Sequence, residues 1–392
     1  MKENEKITLE DGRTLCYAVY GSDTPRATVI YNHGFPSSRF EAKMWHDHCT
    51  KHKIRLVSPD RPGYGQSSFQ KDRRFLDWPA DVLAIVDRLQ IKQFYILGVS
   101  GGSPYALACL KEIGKDRLLG VTVASGLYPI KYGTAGMMLP TRILLWVAPW
   151  STKLVTFLFE FAMGKPARNP DPKVFEDMFS KEMDRRHPGD RDAVKDPAYW
   201  PTFVQMARES FVQGSEGSSW EAYLNGSDWG FELEELRIGK EGVKLTLWHG
   251  DEDMNTGLDA TKKAHAAMPG SELHVCEGEG HLSYALKRVD EILIDLLSFS
   301  PYLVASAGNE VLVVRTGSLV QEEKQVHRVP KERWAYRVFQ VLEVFKALQA
   351  LMERQVPGAH LVLKVCQVYK DKEANKELEG NVGIRDNKVT KD

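Results

Sequence analysis

The stretch Ile96-Leu97-Gly98-Val99-Ser100-Gly101-Gly102 decides how this chain reads. The apolar residues 94–97 predict a buried strand, and residues 104–110 predict the start and body of a helix. Between them, Gly98-Val99-Ser100-Gly101-Gly102 spells G-x-S-x-G. Strand, sharp turn and helix form the context in which that pattern lifts a serine hydroxyl clear of the backbone. The reason is steric: Ser100 takes the tip, while Gly98 and Gly102 leave room for strand and helix to pass close together. The helix that follows also points its N-terminal N–H groups at the tip, where they favour negative charge. An ordinary Gly/Ser turn would look the same in isolation, so the surrounding chain decides.

Upstream, residues 7–20, broken by Glu10-Asp11-Gly12, predict a hairpin with a D-G turn. Residues 27–31 predict a short buried strand ending at Asn32-His33-Gly34-Phe35-Pro36, and residues 39–52 a helix with Met44, Trp45 and Cys49 inward. A strand at 54–58 leads into the Pro- and Gly-rich loop Asp60-Arg61-Pro62-Gly63-Tyr64-Gly65-Gln66-Ser67. Residues 77–89 predict an amphipathic helix. Downstream, residues 120–124 predict a strand ending at Ser125. Further strands are expected at 243–248 and 272–276, with helices at 260–267 and 289–297. Alternating strands and helices imply an α/β fold with a mostly parallel central sheet flanked by helices. In such sheets chemistry gathers at the carboxyl ends of the strands, where His33, Asp60, Ser100 and Ser125 all fall.

From residue 131 to 237 the alternation stops and the pattern turns helical. Residues 137–163 are strongly apolar and carry Trp146, Trp150, Phe157, Phe159 and Phe161. A membrane span needs ~20 predominantly apolar residues. Arg142, Lys153 and Glu160 interrupt this run, and Pro140 and Pro149 break it, so a pair of helices lying as a lid over an apolar pocket is the better reading. Residues 171–183 and 199–212 add two amphipathic helices, the first with Asp171 as N-cap and Pro172 at the first helical position. Asn225-Gly226-Ser227-Asp228 predicts a loop back to the sheet. The domain plan is therefore a core of residues 1–130 and 238–300, a helical lid of 131–237, and a C-terminal extension of 301–392. In that extension, strands are expected at 311–315 and 360–369, an amphipathic helix at 332–353, and a partly disordered charged tail at 370–392.

Composition narrows the classes of function. The net charge is −1, so nothing in the total favours nucleic acid or an anionic membrane. The cysteines Cys16, Cys49, Cys109, Cys276 and Cys366 are scattered and show no C-x-x-C spacing, which argues against a disulfide framework or a zinc site. The charged start Met1-Lys2-Glu3-Asn4-Glu5-Lys6 lacks the apolar core of a secretory signal. The expectation is a cytoplasmic protein without a transmembrane segment. His48 and His52, spaced i, i+4, have no third ligand at convincing spacing and read as a surface pair.

A serine hydroxyl needs a base to become a nucleophile, and the base needs a carboxylate to orient it. Of the 11 histidines, His281 lies in a Gly-x-Gly-His turn after the last strand, as a mobile base should. His33 precedes the serine, His249 sits in a His-Gly pair ahead of the acid, and His274 reads as mid-strand. The acid is open among Asp251, Glu252 and Asp253, because one side chain from a turn reaches a given imidazole nitrogen. An oxyanion would be met by the N–H of Gly101 and, from the loop His33-Gly34-Phe35-Pro36, by that of Phe35. Pro36 has no N–H and fixes the turn, for which a cis bond is one solution.

Taken together, the motifs resemble the α/β-hydrolase superfamily, in its single-domain, lid-bearing branch. His33-Gly34-Phe35-Pro36, residues 60–67, Gly98-Val99-Ser100-Gly101-Gly102, His249-Gly250-Asp251-Glu252-Asp253 and Gly280-His281 run in family order across residues 7–300. The resemblance implies the α/β-hydrolase fold and selects Asp253 as the acid, three residues past the Gly of His-Gly. It implies catalysis by Ser100, Asp253 and His281, an oxyanion hole of Phe35 and Gly101, and no cofactor or metal. His-Gly-x-Pro is common in relatives that open epoxides or haloalkanes with a nucleophilic aspartate. Here that position is Ser100, which argues for an acyl-enzyme. The expected function is a serine hydrolase, carboxylesterase-like, cleaving an ester or related acyl bond of a small, largely apolar molecule. An acyltransferase, thioesterase or C–C-bond hydrolase on the same three residues is the alternative, and a non-catalytic ligand-binding protein is the reading from another class. The region after residue 300 has no counterpart in this branch.

Overall fold

The computed structural model describes residues 1–239 and 242–298. The elements expected at 311–315, 332–353, 360–369 and 370–392, and Cys366, lie outside the described residues.

The strands β1 (Lys2–Thr8), β2 (Thr14–Gly21), β3 (Ala27–Asn32), β4 (Ile54–Pro59), β5 (Phe94–Val99), β6 (Leu118–Ala124), β7 (Lys244–Gly250) and β8 (Glu272–Cys276) form one sheet. Its order is β1-β2-β4-β3-β5-β6-β7-β8. β1 and β2 pair antiparallel, as do β2 and β4, and every later pairing is parallel. Every residue of β5 is buried, as expected of a parallel strand covered on both faces. On one face Val82, Ile85, Leu107, Leu110 and Ala264 pack from the helices Trp78–Arg88, Ser103–Glu112 and Leu258–Ala267. On the other, Trp45, Cys49, Ile292 and Leu296 pack from residues 39–51 and the helix Val289–Leu297. Each large apolar side chain removed from water this way contributes ~1.5–3 kcal/mol. The two layers hold the strand ends rigidly, and those ends carry the site.

The structure corrects several boundaries. β1 starts at Lys2 rather than Ile7, because its charged residues alternate along an edge strand where polar side chains stay exposed. Residues 39–52 are a 3-10 turn, Arg39–Trp45, followed by a short α-helix, His46–Lys51. Asn225 and Gly226 do not form a loop. They end the helix Glu216–Gly226, where a Cβ on Gly226 would lie 2.0 Å from the carbonyl oxygen of Leu145. Glycine there permits close packing of two helices, which in sequence looks like a turn signal. The helix Pro188–Val194 was not foreseen, being short and largely polar. The expected N-cap at Asp171 is present: its side chain accepts from the N–H of Lys173.

Between β6 and β7 the chain leaves the sheet and forms the helices Leu139–Val147, Thr152–Phe159, Pro172–Met183, Pro188–Val194, Trp200–Glu209 and Glu216–Gly226, with shorter turns between them. Among the described residues no helix is long and apolar enough to cross a membrane. Cys16, Cys49, Cys109 and Cys276 are buried free thiols.

Candidate active site

β5 delivers Ser100 to the carboxyl edge of the sheet in the left-handed region, with φ 52°. A side chain there is strained unless its surroundings impose it. They do: a Cβ on Gly98 would lie 2.7 Å from the Cβ of Ala106, and one on Gly102 would lie 2.1 Å from the carbonyl oxygen of Asn32. The helix Ser103–Glu112 thus crosses its own strand and β3 at contact distance, and the chain between can only turn sharply at Ser100. Ser103 Oγ donates to the carbonyl of Ser100 and accepts from the N–H of Leu127, closing the turn.

Three distant side chains meet at this edge. Ser100 Oγ lies 2.9 Å from His281 Nε2, and His281 Nδ1 lies 2.7 Å from Asp253 Oδ2. Ser100 is half-buried, while His281 and Asp253 are buried. Of the three candidate acids, only Asp253 faces the imidazole. Asp251 accepts from the N–H of Gly278, and Glu252 pairs with His187 at 3.0 Å. The Asp253 carboxylate is otherwise filled by the N–H groups of Asn255 (2.7 Å) and Thr256 (3.0 Å) and by Thr256 Oγ1 (2.8 Å). Burial works against its charge, but His281 and these donors outweigh it and hold the carboxyl well below the usual carboxylate range. Burial likewise opposes a charged His281, but Asp253 dominates and raises its affinity for a proton above that of free histidine.

The other histidines fall away on geometry. His33 is fully buried, with Nδ1 2.9 Å from the carbonyl of Gly34. Burial, reinforced by Arg61, pushes its pKa well below the ordinary value, which keeps it neutral. His249 pairs with Thr261 and sits 3.4 Å from Asp253, and its hydrogen-bond partners do not include Ser100. His274 stacks on Trp248. His48 and His52 both contact Asp290 Oδ1, at 2.8 and 2.9 Å, so their third partner is a carboxylate from the closing helix, invisible to local spacing.

The loop after β3 lies against the serine turn. A Cβ on Gly101 would fall 3.3 Å from Phe35 N, and one on Gly34 would fall 3.7 Å from Ser100 Cβ. The Phe35–Pro36 bond is cis. Glu41 Oε2 accepts from the N–H of Gly34 at 2.9 Å, while Arg61 donates to the carbonyls of His33 (2.5 Å) and Gly34 (2.8 Å). Arg61 is itself held by Glu221, at 2.6 and 2.9 Å, from the helix Glu216–Gly226. These bonds fix the peptides that lead into Phe35, whose backbone nitrogen lies close to Gly101. The Phe35 ring packs edge-on against Phe159, with Leu158, Leu144 and Ile143 in the same apolar cluster.

Sequence reasoning missed the residues that brace these groups. Thr256 carried a faint signal in its spacing of three from Asp253, the spacing at which a side chain can cap its own turn. Ser125, also at positive φ (51°), donates through Oγ to the carbonyl of His281 at 2.5 Å. Arg61 lay in the loop of residues 60–67 but without a role, and Glu221 and Asp190 had no signal, because their partners lie far away in sequence; Glu41 holds Gly34 from only seven residues on, a contact its place in a 3-10 turn hid. The aromatic cluster expected over the pocket is only partly there: Phe159 faces Phe35, but Trp150 is 77% exposed and Trp146 and Phe161 also face outward.

Comparison with known proteins agrees with this architecture. A curated "uncharacterized hydrolase YcgS" of Bacillus subtilis (strain 168) is 26% identical over 125 residues, which is 32% of this chain and 42% of that protein, so less than half of the relative's length is matched. Among solved structures, an aryl esterase from Burkholderia cenocepacia, itself described as putative, superposes with a TM-score of 0.54 at 17% identity, covering 76% of this chain and 98% of that one. An esterase from Exiguobacterium antarcticum gives 0.53 at 18%, covering 76% and 100%. At such identities the likeness is one of fold. Residues 27–287, more than half of the chain, match the family described as alpha/beta hydrolase fold. With the sheet order, the serine turn and that match in agreement, the chain belongs to the alpha/beta hydrolase fold family.

Proposed function

We propose that this protein is a serine hydrolase that cleaves an ester of a small, largely apolar molecule through an acyl-enzyme. The observation that carries the reading is the continuous line from Ser100 Oγ to His281 Nε2 and from His281 Nδ1 to Asp253. With the imidazole proton on Nδ1 and donated to Asp253, Nε2 is the acceptor for the serine proton. Ser100 Oγ then bonds to the acyl carbon as the proton passes to His281. Negative charge builds on the former carbonyl oxygen, where the N–H groups of Gly101 and Phe35 meet it; such donors are each worth ~10²–10³ in rate. His281 returns the proton to the departing alcohol as the ester bond breaks. A water then loses a proton to His281 as it bonds to the acyl carbon, and His281 returns that proton to Ser100 Oγ as the acyl–serine bond breaks, releasing the acid and the free enzyme.

In this reading Asp253 orients the imidazole and supports its positive charge without taking the proton. Residues 131–237 serve as a lid, and the apolar cluster of Phe35, Phe159, Leu158, Leu144 and Ile143 favours an apolar acyl or alcohol group. The test is labelling with a fluorophosphonate probe, paired with turnover of p-nitrophenyl esters of graded chain length. Wild type is expected to label and turn over, and Ser100→Ala to lose both. A folded wild type that neither labels nor hydrolyses any of the series would favour the ligand-binding alternative.

A further inference from the structure

The imidazole of His281 is described above, but its backbone is held in an unusual way. The helix Pro188–Val194 lies in the segment between β6 and β7, ninety residues before His281 in sequence. Its Asp190 turns a carboxylate that is only 6% exposed onto three consecutive N–H groups. Oδ2 accepts from His281 at 2.7 Å, while Oδ1 accepts from Leu282 at 2.8 Å and Ser283 at 2.9 Å. Hydrogen bonds to an ionised acceptor are about twice as strong as neutral ones. The loop is shaped around this group: a Cβ on Gly280 would fall 2.4–2.6 Å from the Asp190 carboxyl atoms. On the opposite side, Ser125 of the sheet holds the His281 carbonyl at 2.5 Å. The peptide unit bearing the imidazole is therefore gripped on its N–H side by the helical segment and on its C=O side by the sheet.

The neighbours of Asp190 grip the acid loop as well. Arg186 donates to Asn255 Oδ1 at 2.6 Å, and His187 meets Glu252 at 3.0 Å. Within the five positions 186 to 190, Arg186 and His187 thus reach the loop of Asp253 and Asp190 that of His281.

We propose that Asp190 is a positioning residue, which makes correct seating of the helical segment the condition for His281 to face Ser100. The proposal rests on the reading of His281 as the base. Its consequence is a coupling: any displacement of the segment would carry Asp190 with it and cost the base its alignment. A displacement of about 1 Å in a reacting group costs about 10²-fold in rate. Asp190 also adds negative charge beside the imidazole. The groups facing His281 are Asp253 and Asp190, which favour its protonated form, Arg186, which opposes it, and His249 beyond Asp253.

The experiment compares full-length wild type, Asp190→Ala, Asp190→Asn and, as a control on the same helix, Asp192→Asn, whose carboxylate pairs on the exposed surface with Arg191. Active sites are counted by fluorophosphonate titration, and turnover of a short-chain p-nitrophenyl ester is expressed per titrated site. Both Asp190 variants are expected to lose ~10- to 100-fold in kcat per site. KM should change less than about two-fold, as expected for an interaction that acts in the transition state. The acid limb of kcat/KM should move to lower pH, and Asp192→Asn should match wild type. Asp190→Asn preserves shape, so it remains informative if the alanine variant folds poorly. Asp190 variants with wild-type kcat per site and an unmoved acid limb, even at a lowered Tm, would show a merely structural cap and overturn the proposal. A wild type that the probe does not label would sink the hydrolase reading, and this proposal with it; labelled wild type with unaffected Asp190 variants sinks the proposal alone.

Discussion

The helical segment meets the sheet along two rims, and the two are built on opposite principles. On the rim beside the loop after β3, the charges are enclosed. Arg61 and Glu221 are both fully buried at 2.6 Å, and Arg39 pairs with the buried Asp60 at 2.6 Å while also reaching Glu209. On the rim beside the acid and base loops, the contact between His187 and Glu252 lies open to water on one side, and the enclosed contacts are hydrogen bonds that backbone N–H groups donate to Asp190. A buried pair costs desolvation to assemble and then penalises any loosening, because separation strands a charge away from water. A half-exposed pair does neither, since water replaces each partner. One rim therefore secures the segment through enclosed ion pairs, while on the other the open contact adds little and the grip beside the imidazole rests on Asp190. The difference teaches that burial decides whether a charged contact acts on stability or on the geometry of a reaction.

The largest expected effect tests the rim beside the acid and base loops. Asp253→Asn should lower kcat about 10⁴-fold, through loss of the imidazole tautomer that accepts the serine proton, with the protein still folded by circular dichroism. The same variant has a signature in stability against pH. Asp253 carries a depressed pKa in the folded state, so its contribution is complete above the unfolded value of about 3.9 and is lost as pH falls below that toward the folded value. Glu41, beside the other rim, has the opposite sign: burial raises its pKa, so the fold gains stability as pH falls through that raised value. Urea midpoints between pH 6 and pH 3 should therefore fall less steeply for Asp253→Asn than for wild type at the acid end. A slope identical to wild type there would contradict the assignment.

The next effect addresses the enclosed rim. Glu221→Gln leaves the Arg61 guanidinium buried without its counter-charge and should cost about 3–5 kcal/mol, read as a lowered urea midpoint. Replacing both, as Arg61→Met with Glu221→Leu, should recover much of that stability. It should not recover turnover, because the carbonyls of His33 and Gly34 lose the donor that fixes the loop of Phe35. Recovery of both would show that the enclosed pair has no part in shaping the site. The smallest effect belongs to the open pair: Glu252→Gln should cost ~0.2–1 kcal/mol, read as a small shift of the urea midpoint. A loss as large as that of Glu221→Gln would erase the contrast between the rims.

Legibility in the sequence followed the same division. The run Phe94–Val99 announced itself because a strand covered on both faces must be apolar throughout, and the glycines on either side of Ser100 announced the close crossing that they permit. The Asp-Gly hairpin, the strand ends and the His281 turn were readable for similar local reasons. Asp253 was singled out from its two acidic neighbours by resemblance rather than by any property of the three side chains. The outward turn of Trp146 and Trp150 was not readable, since an aromatic-rich helix carries no mark of which face meets water when both faces are apolar. Nor was the helix Pro188–Val194, whose polar residues give no periodicity.

The sequence by itself determined the alternation of strands and helices, the sharp turn at Ser100 and the order in which serine, acid and histidine arrive. Those features arise from backbone sterics and from apolar patterning within a few residues, and both are written locally. Only the tertiary structure decided which carboxylate faces the imidazole, that Arg61 and Glu221 tie down the loop of Phe35, and that Asp190 holds the backbone of His281. Each of these is a contact between charged or polar groups tens to hundreds of residues apart. Such groups look like ordinary surface residues until folding removes the water that would otherwise satisfy them.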